Sequence, residues 1–195
     1  MAAIGKQDAS DVVFTEVGPS NWHDLEKLFE SRGGPKNCWC MVWRGTAKDR
    51  ATKESRKAAM RNIVENGVPV GLLGYAWDEP VAWCSVAPRP TFRDLGGVRE
   101  PGEDPEKVWS IVCFFVRRPY RGQGMLKRMI EAAAEHAFRR GADMVEAYPV
   151  DPDSPSYRFM GFVPCFEECG FVRVGTAGSR RHVMRLKRDG AGEGP

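Results

Sequence analysis

Apolar positions along the chain follow two spacings, one typical of strands and one typical of helices. Residues 12–17, 70–76 and 81–86 are short runs rich in Val, Leu and aromatic side chains. Runs of this kind predict β-strands, and the four residues 77–80 between the last two predict a hairpin connection.

Helical spacing occurs twice in the first half of the chain. Apolar residues three and four positions apart predict a helix that Ser20 or Asn21 caps and that residues 33–35 end. These apolar residues are Trp22, Leu25, Leu28 and Phe29. Residues 46–66 are highly charged, with apolar side chains gathered near the end, so we expect a surface helix that stops at Gly67.

A proline-rich segment, residues 88–105, then interrupts the periodic pattern. It contains four prolines and a Gly-Gly pair, and it is too long for a tight turn. Long segments without periodicity predict either a substrate lid or a disordered insertion.

The second half of the chain contains one strand-helix-strand unit. Residues 108–116 are almost wholly apolar, which predicts a central strand buried on both faces. An amphipathic helix follows directly and closes at Gly141. Further strands are predicted at 144–148, 171–174 and 182–186, with a short helix before Gly170 that the loop 151–156 caps. This order predicts a mixed, mostly antiparallel sheet.

Composition places the chain among ordinary folded domains. It has 195 residues, of which 42% are hydrophobic and 28% charged, values that exclude a disordered or fibrous chain. The longest uninterrupted apolar run, residues 111–116, is too short to cross a bilayer. The net charge of +3 is close to balance, so we expect neither a membrane nor a nucleic acid as partner.

The cysteines and the first residues bear on compartment. Residues 1–10 lack the apolar core of a signal peptide, which predicts a cytoplasmic protein whose six cysteines are free thiols. Cys38 and Cys40 are expected to be buried as small hydrophobes, the alternative being a zinc site shared with His23 or His182. We therefore expect no metal.

The turn between strand 108–116 and the next helix carries the strongest chemical signal. Gly122 and Gly124 permit positive φ and close approach of a ligand. The unpaired N–H groups at the helix start suit a phosphate or diphosphate. Arg121, Lys127 and Arg128 add full positive charges. The alternative is a plain strand-to-helix turn in which the glycines serve geometry alone.

Two common phosphate-binding motifs do not fit this turn. No Ser or Thr follows it to hold magnesium, as a Walker A loop requires. Lys127 stands where a dinucleotide-binding fingerprint needs its third glycine, and the preceding hairpin contradicts an all-parallel sheet.

The segment 114–130 resembles the acyl-CoA-binding motif of the GNAT superfamily of N-acyltransferases, Gln/Arg-x-x-Gly-x-Gly/Ala. Arg121 and Gly124 match its first two positions, and Leu126 stands where the motif has Gly or Ala. A second similarity lies at Cys165-Phe-Glu-Glu-Cys-Gly-Phe171, which resembles the end of the family's last helix. The resemblance spans about residues 12–187.

This resemblance implies an α/β (α+β) fold with a single domain. The domain is expected at residues 11–188, between a flexible lead, 1–10, and a flexible tail, 189–195. Its mixed, mostly antiparallel sheet would splay between two parallel strands and be flanked by helices. Acetyl-CoA would be the cosubstrate. The residues implied in binding it are Phe114, Phe115, Val116, Arg121, Gly122, Gln123, Gly124, Met125, Leu126, Lys127 and Phe166.

The resemblance also implies direct attack of an amine on the thioester, with a backbone N–H near Phe115 or Val116 polarising the carbonyl. Glu146 is the candidate general base, the alternative being an ion pair with an arginine. Phe166 stands where many relatives have a proton-donating Tyr, so Tyr148 or Tyr157 would replace it, or the thiolate would leave unassisted. The resemblance therefore implies Glu146 and Tyr148 as the catalytic residues.

The acceptor is expected to be a small amine such as an antibiotic, amino acid or polyamine. Residues 38–43 are either a core plug or an aromatic wall of the acceptor pocket. Two alternatives stay open: a non-catalytic acyl-CoA-binding module, and a protein amine as acceptor. The sequence also leaves open whether two chains pair as a homodimer.

Overall fold

The structure is a computed structural model that describes residues 12–188. The predicted flexible lead, 1–10, and tail, 189–195, lie outside the described residues.

One seven-stranded sheet organises the described part of the chain, in the strand order β1-β2-β3-β4-β5-β7-β6. The strands are β1 Val13–Glu16, β2 Leu72–Ala76, β3 Glu79–Pro88, β4 Val108–Val116, β5 Met144–Ala147, β6 Val172–Ala177 and β7 Arg181–Lys187. The α-helices are α1 Trp22–Glu30, α2 Lys53–Glu65, α3 Met125–Arg139 and α4 Val163–Glu167.

This sheet contains one parallel pair of strands, β4 and β5, and the same two strands separate from each other along their length. All other neighbouring strands run antiparallel, whereas β4 pairs with β5 in parallel, from Val108↔Met144 to Ile111↔Ala147. Beyond Ile111, residues 112–116 of β4 have no strand partner on the β5 side among the described residues. This confirms the predicted mixed sheet that splays between two parallel strands.

Apolar side chains cover both faces of the sheet. On one face, α3 and α4 pack through residues such as Met129, Ile130 and Phe166. On the other face, α1 and α2 enclose Trp39 and Met41. A third buried cluster joins the second half of the sheet to the segment that precedes β4.

The proline-rich segment is part of this third cluster. Its side chains Phe92 and Leu95 are buried against Tyr148, Ala177 and Val183. The segment therefore packs onto the sheet near the end of β5, which fits a cover over a site and not a disordered insertion.

Three predicted boundaries are wrong for local reasons. Helix α2 begins at Lys53 instead of 46, because Thr52 and Ser55 form a capping box there. The hairpin turn has two residues instead of four, since Glu79 already pairs with Ala76. The cap of α4 is Phe162 and not the loop 151–156.

None of the helices in residues 12–188 combines the length and the apolar character that a bilayer crossing requires.

Candidate active site

The free edge of β4 is the first component of the site. Arg117 N donates to Val81 O in β3 at 2.9 Å. Because backbone polar groups alternate in direction along a strand, the amide and carbonyl of Phe114 and Val116 point away from β3, into the splay. The amide of Phe115 points toward β3. An extended ligand can therefore pair with Phe114 and Val116 as an added strand does.

The turn before α3 is the second component. Gly122 and Gly124 have φ of +72° and +71°, and no atom lies within 4 Å of where a Cβ would stand on either. Gly124 caps α3 without any side-chain hydrogen bond. The first amides of α3 consequently have no partner within the helix, and they lie at its positive end.

Charged and polar side chains surround this turn. Arg121 Nε donates to Val116 O at 2.7 Å, which fixes the guanidinium between the turn and the free strand edge. Gln123 Nε2 donates to Pro119 O at 2.8 Å, and Lys127 Nζ lies 3.7 Å from a Glu168 carboxylate oxygen. Arg128 instead donates to Val12 O at 2.8 Å, so its charge lies at the start of β1 and not at the turn.

Three apolar residues predicted at the donor site take different positions. Met125 is buried, and Leu126 packs against the same core, so each offers only its backbone to the turn. Phe166 is fully buried, with its ring 6.1 Å from Phe114 and 5.1 Å from Phe171. Phe166 thus packs behind the free edge of β4, against Phe114 and Phe171.

An apolar cavity of about 260 Å³ opens where β4 leaves β5. Its wall combines the connection between α1 and α2, the free part of β4, and Phe159. The lining residues are Pro35, Cys38, Cys40, Val42, Trp43, Val112, Cys113, Phe114, Phe115 and Phe159. Phe159 was missed by the sequence reading, since a single aromatic in a loop carries no periodic signal.

The segment 38–43 contributes both to the core and to the cavity, and its role as a wall of an acceptor pocket stays a prediction. Trp39 is fully buried and stacks on Trp22 at 5.8 Å, as a core plug does. Trp43 lines the cavity. Trp39 and Cys40 have φ of +46° and +50°, a conformation that costs roughly 1–2 kcal/mol per non-glycine residue. The bend turns Cys40 inward, where its Sγ accepts a hydrogen bond from Trp83 Nε1 at 3.0 Å.

Two buried thiols near the cavity, those of Cys40 and Cys84, have raised pKa values. The pKa of Cys40 is raised well above its ordinary value, first by its hydrogen bond with Cys113 and also by burial. Burial is the main cause that raises the pKa of Cys84. Since the thiolate is the reactive form, this environment disfavours cysteine as a nucleophile.

The zinc alternative has no support in the geometry. His23 lies beside Asp24 on α1, and His182 Nε2 lies 2.9 Å from Asp151, so neither imidazole joins Cys38 and Cys40. Across residues 12–188, no group of three or more His, Cys, Asp or Glu side chains is arranged to hold a metal ion.

Glu146 lies at the centre of a buried ion-pair network. Its side chain is 0% exposed, and Arg185 Nε and Nη2 lie 2.8 and 2.7 Å from Oε2. Oε1 accepts from the Tyr148 hydroxyl, and Arg89 Nη1 lies 3.7 Å from it. Glu103 joins the same two arginines. Both oxygens of Glu146 are occupied, which favours the predicted ion-pair alternative; its role as a base stays a prediction.

Tyr148 shares this environment. Burial, followed by the charge of Glu146, raises the pKa of Tyr148 above its ordinary value, so the hydroxyl stays protonated. The ring lines a second cavity of about 330 Å³ beneath the proline-rich segment. Its hydroxyl is directed at Glu146, so an acid role for Tyr148 stays a prediction that requires this bond to open. Tyr157 is exposed, close to Phe159.

Arg181, to which the sequence analysis assigned no role, lies at the edge of both cavities. Its guanidinium lies 4.7 Å from the ring centre of Trp43 and 5.8 Å from that of Tyr148. It stands between the two cavities, on the face that α1 and the proline-rich segment cover.

Comparisons with known proteins agree with this geometry. The sequence model described as the acetyltransferase (GNAT) family matches residues 22–171. No curated protein matches the chain.

Solved structures share the fold at low identity. Aminoglycoside acetyltransferase AAC(6')-Ib in complex with coenzyme A and kanamycin is 20% identical, with a TM-score of 0.58 over 91% of this chain and 95% of its own. The GNAT domain of S. lividans PAT is 15% identical, with a TM-score of 0.56 over 91% and 90%. The uncharacterized protein bh2621 from Bacillus halodurans is 14% identical, with a TM-score of 0.59 over 91% and 84%. The family match, which covers most of the described residues, shows that the chain belongs to the acetyltransferase (GNAT) family.

Proposed function

We propose that the protein transfers an acetyl group from acetyl-CoA to the amine of a small molecule, by direct attack in a ternary complex. The observation that carries this proposal is the continuity of two features. The free edge formed by Phe114 and Val116 leads directly into the Gly122–Gly124 turn, and Arg121 joins them through its hydrogen bond to Val116.

The two features fit the two halves of the donor. Pantetheine carries amide groups that pair with an unpartnered strand edge. The diphosphate of CoA matches the unpaired amides at the start of α3 and the charges of Arg121 and Lys127. AAC(6')-Ib, which shares the fold, has been solved with coenzyme A and with acetyl-CoA.

The chemistry requires few groups from the protein. The amine nitrogen attacks the thioester carbonyl carbon, so that a C–N bond forms, the C–S bond breaks and CoA leaves as a thiolate. The amide of Phe114 or Val116 is placed to polarise the carbonyl. Phe115, which was also predicted for this role, has its amide toward β3.

Proton transfer is assigned from what lines the cavity. None of the residues around the apolar cavity is acidic, so the amine proton leaves through water. The thiolate takes a proton from water or from Tyr157. Glu146 acts as a positioning residue that holds Tyr148 and Arg185, and the acetyl step needs no covalent enzyme intermediate.

A non-catalytic acyl-CoA-binding module is the second candidate function. The observation that favours it is Phe166, which is buried and has no hydroxyl to donate. The size of the cavity, about 260 Å³, favours a small acceptor over the lysine of a folded protein.

The test measures CoA formed from acetyl-CoA with and without a panel of small amines, peptides and proteins. Chromatography is preferable to a thiol reagent, because the six free cysteines would react with it. Acceptor-dependent CoA release with small amines is the expected result. Tight CoA binding without acceptor-dependent release would support the binding module, and release only with proteins would replace the small-molecule acceptor.

A further inference from the structure

Arg181 occupies an aromatic cage at the edge of the apolar cavity. Its guanidinium carbon lies 4.7, 5.3 and 5.8 Å from the ring centres of Trp43, Tyr157 and Tyr148. Nη1 donates to Leu95 O at 3.0 Å, and the side chain is partly buried. The three rings and the hydrogen bond to Leu95 O restrict the guanidinium, and Leu95 O is its one hydrogen-bond acceptor among residues 12–188.

Among residues 12–188, no carboxylate oxygen lies within 4.0 Å of the Arg181 guanidinium, so Arg181 has no salt-bridge partner there. Asp94 acts on it only at longer range, and burial is the main cause that lowers the pKa of Arg181. Arg185, four positions along the same strand, pairs instead with Glu146, Glu103 and Glu100. The chain therefore neutralises one arginine of β7 and leaves the other partly buried, without a carboxylate partner among residues 12–188.

The position of Arg181 connects it with the acceptor. Trp43 supplies both a wall of the apolar cavity and one ring of the cage. The neighbouring cavity, which Tyr148 lines, carries Arg93 and Arg99 against the single acid Asp94, since its third arginine, Arg89, is already paired with Glu103. The acceptor side of the cleft is consequently apolar at its centre and positive at its rim.

We propose that Arg181 binds a carboxylate of the acceptor, so that the substrate class is an apolar amino acid: an amine that also carries a carboxylate. This inference rests on the proposed acetyl transfer. A guanidinium that aromatic rings hold in place presents two N–H groups to a carboxylate. A partly desolvated site strengthens this guanidinium–carboxylate pair. The positive rim repels a polyamine or an aminoglycoside, which disfavours two of the acceptors expected from the sequence.

The experiment compares matched acceptors. L-Leucine, L-phenylalanine and linear ω-amino acids of increasing length are each paired with the amine in which hydrogen replaces the carboxylate. We expect the wild-type protein to favour the carboxylate-bearing member of at least one pair by ~10- to 100-fold in kcat/KM, the range of a charge-assisted hydrogen bond. Arg181→Met should abolish this preference through KM, with the KM of acetyl-CoA unchanged.

Two further variants make the test specific. Arg181→Lys should retain part of the preference, because the charge remains but the two-pronged geometry is lost. Arg180→Met is the matched control on the same turn, since Arg180 is exposed and bonds only Ser156 Oγ at 2.9 Å. It should behave like the wild type.

Calorimetry with the same compounds on CoA-saturated protein provides a readout that does not depend on turnover. Carboxylate-bearing compounds should bind the wild type and bind Arg181→Met at least tenfold more weakly. Equal binding of both members of every pair, or no binding of either, would overturn the inference. Acetylation of amines without a carboxylate preference would overturn it while leaving the proposed function intact. Absence of acetyl transfer, with carboxylates still bound through Arg181, would overturn the proposed function alone.

Discussion

Glu146 shows how a single residue can govern the site without facing the substrate. Its carboxylate accepts from the Tyr148 hydroxyl and pairs with Arg185, and all three side chains are buried. Buried ion pairs of this kind contribute little net stability, but removing one partner leaves a charge uncompensated. We therefore propose that Glu146 positions Tyr148 in the wall of the second cavity, beneath the proline-rich segment.

Replacing Glu146→Gln tests this assignment. The free energy of unfolding should fall by about 3 kcal/mol, and kcat should fall with it, while the affinity for CoA stays unchanged. Urea unfolding, steady-state kinetics and calorimetry measure the three quantities.

Glu100→Gln is the matched control for this variant. Glu100 contacts the same Arg185 at 2.7 Å, but its side chain is 44% exposed, so its loss should change stability by less than about 1 kcal/mol. If Glu146→Gln kept wild-type stability and lost turnover together with the acidic limb of its pH-rate profile, Glu146 would instead be the general base.

The family resemblance led the sequence analysis to Glu146 and Tyr148, which the structure places in one buried cluster, while their catalytic roles stay predictions. It did not find the cage of Arg181, whose rings come from Trp43, Tyr148 and Tyr157. These residues belong to separate loops and strand ends, and only the packing of the proline-rich segment and β7 brings them together. The hydrophobic periodicity of a sequence does not predict contacts between segments that lie far apart along the chain.

At the scale of elements, the proposed CoA site depends most on the start of α3. The site consists of backbone groups there, so the affinity for CoA depends on the conformation that Gly122 and Gly124 permit. Space is not limiting, because nothing lies near a Cβ on either glycine.

Replacing Gly124→Ala should therefore act through backbone strain. At φ of +71° the expected loss of stability is about 1 kcal/mol, and the affinity for CoA should fall several-fold as the first amides of α3 shift. Thermal unfolding and calorimetry with CoA measure the two effects.

Gly67→Ala provides a control with the same strain. Gly67 follows α2, has the same φ of +71°, and also has nothing within 4 Å of a Cβ. We expect an equal loss of stability and no change in CoA affinity. A parallel loss of CoA affinity in both variants would show that general destabilisation, and not the turn, weakens binding.

Most elements could be predicted because each has a local signal. The buried strand, the glycine turn and the amphipathic α3 are contiguous in sequence, and so the elements that form the proposed CoA site were predictable. The predicted start of α2 was wrong because the whole charged segment was assigned to the helix. The capping pair Thr52 and Ser55, which is visible in the sequence, marks the true start. The cap of α4 at Phe162 has no polar signature and was not predictable in this way.

For the whole molecule, buried titratable groups on both sides of neutrality set the pH range of stability. Burial is the main cause that lowers the pKa of His136 below 6.5, and burial raises that of Cys84 above 9.0. A lowered histidine pKa contributes stability above 6.5 that is lost as the pH falls. A raised thiol pKa contributes stability below 9.0 that is lost as the pH rises.

Stability should consequently be flat between about pH 6.5 and 9 and decline on both sides. Urea midpoints measured from pH 5 to pH 11 test this expectation. Cys84→Ala should lower the whole curve by about 1 kcal/mol and reduce the alkaline slope by up to about 1.4 kcal/mol per pH unit. A stability that stays constant to pH 11 would contradict the burial of these groups.

The most direct test of the donor site is a calorimetric titration of the wild-type protein and Arg121→Ala with CoA. Arg121 lies between the free edge of β4 and the turn before α3, and the variant removes one charge without altering either backbone. The predicted result is saturable binding to the wild type, weakened about tenfold or more in Arg121→Ala. Wild-type protein that gives no saturable heat, or equal affinity in both proteins, would contradict the placement of CoA at this edge.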